Sequence, residues 1–187
     1  MLKKTLFLLI IGIVSPFILK ADWIPVNDRN SSPASPEVTL ISDDNNSTVL
    51  KIDISGFDLQ DITAEGKTYQ KIDLLTETCT TDPGCPELPY IARVLAIPDQ
   101  AGISVEILEK GEVLSFPNIN ILPARESWFE GSPETSFNEK PAAYSSVDTY
   151  PGEFAQADKP SVFRDFRITR VSVFPMQYIP AKKELRV

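Results

Sequence analysis

The stretch Ser47–Leu75, STVLKIDISGFDLQDITAEGKTYQKIDLL, decides the fold. Leu50, Ile52 and Ile54 alternate there with Lys51, Asp53 and Ser55. Successive side chains of an extended strand point to opposite faces, so this period of two predicts a strand with one buried face. FDLQDIT and KTYQKIDLL continue the pattern and are joined through Ala64-Glu65-Gly66, a hairpin turn. Working outward, YIARVLAI (90–97), ISVEILE (103–109), FRITRVSVF (166–174) and the closing ELRV read as further strands. The second of these turns at Lys110-Gly111 into EVLSF. No segment carries a convincing 3.6-residue period, and 16 prolines, mostly after residue 82, weigh against long helices. The expectation is an all-β chain: an antiparallel β-sandwich of roughly eight to nine short strands, with a long irregular loop.

That loop is the Pro117–Gly152 stretch, with little alternation, repeated prolines and two aromatic anchors, Trp128 and Phe129. A segment this long without secondary structure is uncommon in a compact domain and is often functional; the alternative is a plain surface connection. Ahead of the β domain (47–187) lie two other regions. Lys3 and Lys4, the apolar run TLFLLIIGIVSPFIL and the small residue Ala21 predict a signal peptide over 1–21, cleaved between Ala21 and Asp22. Pro16 and the shortness of the uninterrupted run argue against a permanent span, which wants ~20 apolar residues. The expected location is therefore secreted, or periplasmic or cell-surface, with the membrane met only during export. Residues 22–46 read as an exposed polar lead-in with at most one edge strand, Val38–Ile41. Asn30, Asn45 and Asn46 each sit in a glycosylation sequon.

Charge and composition exclude several functions. The chain has 18 Lys and Arg against 26 Asp and Glu, a net −8, and losing Lys3, Lys4 and Lys20 with the leader would take it to −11. Without a basic patch to release counterions, nucleic acid is not an expected partner. With no histidine in the sequence, Ser–His–Asp and Cys–His catalysis and imidazole metal sites are all excluded. No glycine-rich phosphate cradle or calcium loop is present, and acids such as Asp43-Asp44 signal only a solvated face. The chain is expected to be non-catalytic by itself, with no cofactor and no metal. Two cysteines remain in CTTDPGC. Export favours a Cys79–Cys85 disulfide across the Asp82-Pro83-Gly84 turn, a nucleophilic or metal role being the weaker reading.

Two stretches carry more specific information: GCPELPYIARVLAIP (84–98) and YPGEFAQADKPSVFRDFRITRVSVFPMQYIPAKKELRV (150–187). Together they resemble the prodomain of gingipain-type cysteine peptidases, over roughly residues 47–187. The resemblance rests on Gly84, Pro86, Leu88 and Pro89; on Tyr150, Pro151, Gly152 and Glu153; on Phe163, Arg164 and Asp165; and on Pro175, Gln177, Tyr178 and Pro180. Ile179 stands where the family has asparagine, and Phe163 where it has an aliphatic residue.

The resemblance implies an inhibitory, fold-assisting β-sandwich that caps a cognate gingipain-like catalytic domain, in cis or in trans. It further implies a basic residue in the loop after the V-L-x-x-P strand, here Val113-Leu114-Ser115-Phe116-Pro117, entering the specificity pocket. Arg125 is the first candidate, since a guanidinium can meet a pocket carboxylate with paired hydrogen bonds, and Lys140 is the second. Arg164 and Asp165 are expected to be structural, as a partly buried pair. Glu184–Val187 reads as a strand that in the family leads on toward the peptidase, so the chain is expected to be a truncated product or a stand-alone prodomain-like protein. The alternative function is a stand-alone secreted β-sandwich binding carbohydrate or a surface protein, with Trp128, Phe129 and Tyr144 as a stacking platform.

Overall fold

The computed structural model describes residues 21–27, 32–44, 46–127, 130–133 and 135–187. The expected signal peptide lies outside the described residues except for its last, Ala21, which is exposed; Trp128, Phe129, Asn30 and Asn45 lie outside them too.

The all-β expectation holds, and the strands form four small antiparallel sheets. In the first, β1 (Asp22–Pro25) pairs with β4 (Gly56–Ala64), which pairs with β5 (Lys67–Asp73). A hairpin of β2 (Glu37–Asp43) and β3 (Thr48–Asp53) makes the second. The third is built on β7 (Pro89–Ile97), with β6 (Thr78–Cys79) on one side and β11 (Phe166–Val173) on the other. Two short strands, β9 (Ala155–Ala157) and β10 (Ser161–Phe163), add to β11. The fourth places β13 (Glu184–Arg186) between β8 (Ser115–Phe116) and β12 (Gln177–Ile179). The only helical turns among the described residues are α1 (Pro141–Tyr144) and a 3-10 turn at Pro180–Lys182.

One core joins these sheets. Phe57 and Ile72 come from the first, Ile91 from the third, Tyr178 and Leu185 from the fourth, and Val38 and Ile52 of the β2–β3 hairpin pack against them. Each such side chain contributes about 1.5–3 kcal/mol when fully buried, so these alternating residues are what hold the sheets together. The last strand is paired on both sides, and Leu114 and Val187 exchange backbone hydrogen bonds of 2.9 and 3.0 Å beyond it.

Four expectations are corrected. The lead-in supplies two strands, not one. Besides the expected edge strand, Asp22–Pro25 pairs with β4 because Gly56 leaves room: a Cβ there would lie 2.5 Å from both the Trp23 ring and the Ile24 carbonyl oxygen. Conversely, Ile103–Glu109 is not a strand despite its alternation. No ladder forms from residue 101 to 113, and Val105, Ile107, Leu108 and Val113 are exposed. Alternation marks faces, but a strand also needs a neighbour for its N–H and C=O groups.

Cys79 and Cys85 are free thiols. The Cys79 Sγ lies 4.0 Å from the Ile72 carbonyl oxygen and from the Asp73 carboxylate, directed at β5 and not across the turn. Arg164 and Asp165 are not a buried pair either: both are exposed in the two-residue turn between β10 and β11. There Arg164 takes a left-handed φ of 54°, and its guanidinium sits 5.9 Å from the Phe163 ring centre.

Candidate functional site: the neck of the 125–139 loop

The long loop is fastened to the domain on both limbs. Its inbound limb, residues 120–124, lies beside β5. Gln70 N–H donates to the Asn120 carbonyl at 2.8 Å, and Leu122 N–H donates to the Gln70 carbonyl at 3.0 Å. The Gln70 side-chain oxygen accepts from Asn120 N–H at 2.7 Å. On its other side this limb runs antiparallel to residues 84–87: Glu87 N–H donates to the Leu122 carbonyl at 2.8 Å and Ala124 N–H to the Cys85 carbonyl at 2.9 Å. Ile121, Leu122 and Ala124 are buried, so the limb is as much core as β5 itself.

The outbound limb, residues 135–140, is tied to the same places. Phe137 packs against the small apolar cluster of Ala64, Tyr69 and Leu122. The Tyr69 hydroxyl donates to Glu139 Oε1 at 2.7 Å, and Lys67 Nζ reaches Glu139 Oε2 at 3.1 Å. Burial pushes the Glu139 carboxyl upward, but Tyr69 and Lys67 together outweigh it and hold the group below its ordinary range. Burial, then the facing Glu139, pushes the Tyr69 phenol well above its usual range. The limb ends in α1, whose Tyr144 hydroxyl donates to the Ile121 carbonyl at 2.7 Å and so bonds one limb to the other. An open groove of about 490 Å³ lies along this limb, lined by Lys67, Tyr69, Glu139 and Tyr144 among others.

Gly84 sits between the two limbs. Its N–H donates to the Ala124 carbonyl at 2.9 Å, and its carbonyl accepts from Lys140 N–H at 2.8 Å. Arg125 therefore follows immediately on a clasped residue. It is half-buried, with its guanidinium 4.6 Å from the Phe137 ring centre, a cation–π contact made across the loop. Burial holds the nearby Glu87 carboxyl above its ordinary range, and Lys71 and, more weakly, Arg125 oppose that only in part. Lys140 holds the exit of the loop through its backbone, accepting from Ala143 and Tyr144 N–H, while its side chain is exposed. Of the two candidate basic residues, the structure brings Arg125 to the loop neck as a half-buried side chain stacked on Phe137 and leaves the Lys140 side chain exposed.

Some of the motif residues support this neck. Pro86, Leu88 and Pro89 are fully buried. Tyr150 and Tyr178 exchange backbone hydrogen bonds of 2.8 Å each way, bringing the Y-P-G-E and P-M-Q-Y-I-P elements together. The Tyr150 hydroxyl then donates to the Asp82 carboxylate at 3.0 Å, in the turn that presents Gly84. Gln177, Tyr178 and Pro180 are buried, whereas Gly152 is exposed. Tyr144, one of the three aromatics of the expected sugar platform, is half-buried and committed by its hydroxyl to Ile121; Trp128 and Phe129 lie outside the described residues. Among the described residues, no cluster of His, Cys, Asp or Glu is placed to hold a metal ion.

Residues 28–187 match Propeptide_C25. The chain belongs to that family. Propeptide_C25 is a propeptide family, non-catalytic by itself. The chain is similar to gingipain R2 of Porphyromonas gingivalis, 26% identical over 159 residues that make up 82% of this chain and 21% of the relative. It is also 32% identical to gingipain R1 of the same organism over 112 residues, 57% of this chain and 11% of that one. The chain thus spans about a fifth or less of the length of these relatives.

Two solved structures share the fold. One is the complex of the Porphyromonas gingivalis RgpB pro- and mature domains, with a TM-score of 0.75, 21% identity, and 82% of this chain and 81% of that one covered. The other, titled for the zymogenic latency of gingipain K from the same organism, gives a TM-score of 0.75, 18% identity, and coverage of 90% and 93%. Sequence reasoning singled out Gly84 and Arg125, which the structure brings together at this neck. It missed Tyr69, Phe137 and Glu139, whose only sequence signal is that Tyr69 falls on the buried face of an alternating strand.

Proposed function

We propose that this propeptide is exported and acts as inhibitor and folding aid of a gingipain-like cysteine endopeptidase, with the segment after Ala124 laid across the peptidase cleft and Arg125 in its specificity pocket. The observation that carries this reading is the position of Arg125, one residue beyond the clasped Ala124 on a limb that is part of the core. A substrate-like residue inhibits well when the scaffold has already ordered the backbone that presents it, because little further entropy is lost on binding. Arginine suits the role through its planar fork of donors, which meets a carboxylate bidentately. The partner's chemistry follows: a cleft with a carboxylate at the base of its pocket.

Mature gingipain R2 is the probe. The purified propeptide is expected to inhibit it in trans, and Arg125→Ala is expected to raise the inhibition constant ~100-fold or more, as for loss of a buried charged pair. An inhibition constant unchanged by Arg125→Ala discards the plug. Export is tested separately by sequencing the N-terminus of the mature protein, which should begin at Asp22.

A further inference from the structure

We infer that the Gly84 peptide unit is the positioning element of the inhibitory segment: one N–H and one C=O, at a turn remote in sequence, hold both ends of the loop that carries Arg125. The inference rests on the plug reading and deepens it, by naming what sets the place of Arg125.

Both polar groups of Gly84 point into the neck. The N–H takes the Ala124 carbonyl at 2.9 Å and the carbonyl takes Lys140 N–H at 2.8 Å, so the two ends of the loop cannot separate without breaking one of them. Glycine fits here without strain, and any other residue meets two obstacles. Its φ is +74°, and a Cβ would lie 3.0 Å from the Asn138 carbonyl oxygen, 3.0 Å from Lys140 N and 3.1 Å from Lys140 Cβ. The first two are backbone atoms of the outbound limb, so a side chain at residue 84 could be accommodated only by moving that limb.

The turn that carries Gly84 is itself fixed from several directions. Cys85 N–H donates to the Asp82 carbonyl at 3.0 Å, and the Tyr150 hydroxyl holds the Asp82 carboxylate at 3.0 Å. The Thr80 hydroxyl donates to the Pro86 carbonyl at 3.1 Å and accepts from Leu88 N–H at 3.0 Å. Arg125 is the first residue beyond this closure, so the clasped Ala124 is its immediate chain neighbour. A plug displaced by an ångström loses much of its complementarity, so the accuracy of the neck is the accuracy of the inhibitor.

The test compares three full-length variants: Gly84→Ala, Lys140→Pro and Lys140→Ala. Lys140 already has φ −81° and ψ 108°, values compatible with proline, so Lys140→Pro deletes the N–H that Gly84 accepts, while Lys140→Ala removes only the side chain. Three readouts are taken: inhibition of mature gingipain R2, amide exchange over residues 122–127 and 135–140, and the thermal midpoint. Gly84→Ala and Lys140→Pro are expected to speed exchange in both limbs and to weaken inhibition ~10-fold, with exchange in β7 and β11 unchanged. Lys140→Pro should also inhibit ~10-fold more weakly than Lys140→Ala.

Should Gly84→Ala fail to fold, the two Lys140 variants still decide. Faster limb exchange with full inhibition would make the clasp merely structural and overturn the positioning role, as would unchanged exchange. Inhibition that Arg125→Ala abolishes but the neck variants leave intact overturns the clasp alone. A wild-type chain that does not inhibit overturns the plug itself and the positioning role with it.

Discussion

The Tyr69 hydroxyl and the Glu139 carboxylate meet at 2.7 Å, joining the buried face of β5 to the outbound limb of the loop. The bond is charge-assisted, and hydrogen bonds to charged groups are worth about 1.5–3 kcal/mol. Lys67 adds less, because its ammonium is well exposed and screened by solvent. Against the opposing effect of burial, the bonds from Tyr69 and Lys67 hold Glu139 below the ordinary glutamate range, so its folded pKa lies under its unfolded one. Such a group contributes stability that is complete above the unfolded value and is lost as pH falls through the folded one. Amide exchange in residues 135–140, corrected for its intrinsic pH dependence, should therefore stay flat above about pH 4.5 and quicken below it. Glu139→Gln should remove the dependence. A wild-type profile flat down to pH 3 would mean that this contact does not latch the limb.

A second expectation concerns the thiols. Burial, then the nearby Glu87 and Asp73, pushes the Cys79 thiol up to about 12. Because the thiolate is the reactive form, native Cys79 at pH 8 should react with a thiol reagent at least ~100-fold more slowly than in the urea-unfolded chain. Mapping the labelled peptides resolves Cys79 from Cys85. Rapid native labelling of Cys79, or a mass showing the two cysteines oxidised to one another, would contradict the free, half-buried thiol.

The parts of this fold that were legible share one property. In Ser47–Leu75 the alternation is local, and Ile52, Phe57, Tyr69 and Ile72 do face the core that it implies. What could not be read depends on partners distant in sequence. Ile103–Glu109 alternates as cleanly as β3, yet nothing in its own residues says that no strand will lie beside it. Asp22–Pro25 is too short to show a period and becomes a strand only because Gly56 is vacant opposite it.

The site divides in the same way. Arg125 was legible as a cation in a proline-rich loop, and Asp82-Pro83-Gly84 as a turn. Their connection is made by backbone groups of Gly84, Ala124 and Lys140, which leave no mark on side-chain identity. Arg164 and Asp165 were misread because a buried ion pair and a two-residue hairpin turn look alike between two phenylalanines. The structure resolves this by placing Arg164 at a positive φ, which a turn requires and a strand does not.

The closing strand gives the sharpest stability prediction. Leu185 has no exposed surface, lies opposite Phe116 on one side and Tyr178 on the other, and belongs to the same cluster as Phe57 and Ile121. Phe57 and Phe116 meet edge-on at 5.4 Å in that cluster, and the Tyr178 hydroxyl is spent on the Ile119 carbonyl at 2.8 Å. These neighbours are already fixed by their own contacts, so they can collapse only partly into a void. Leu185→Ala should then cost about 2–5 kcal/mol, read as a lower urea midpoint with an unchanged slope. Because β13 lies between β8 and β12, and β8 leads directly into the inbound limb, amide exchange at Ile119 and Asn120 should quicken in the same variant. A loss under 1 kcal/mol would place the last strand outside the cooperative core, and the loop would then owe its order to β5, residues 84–87 and Tyr144.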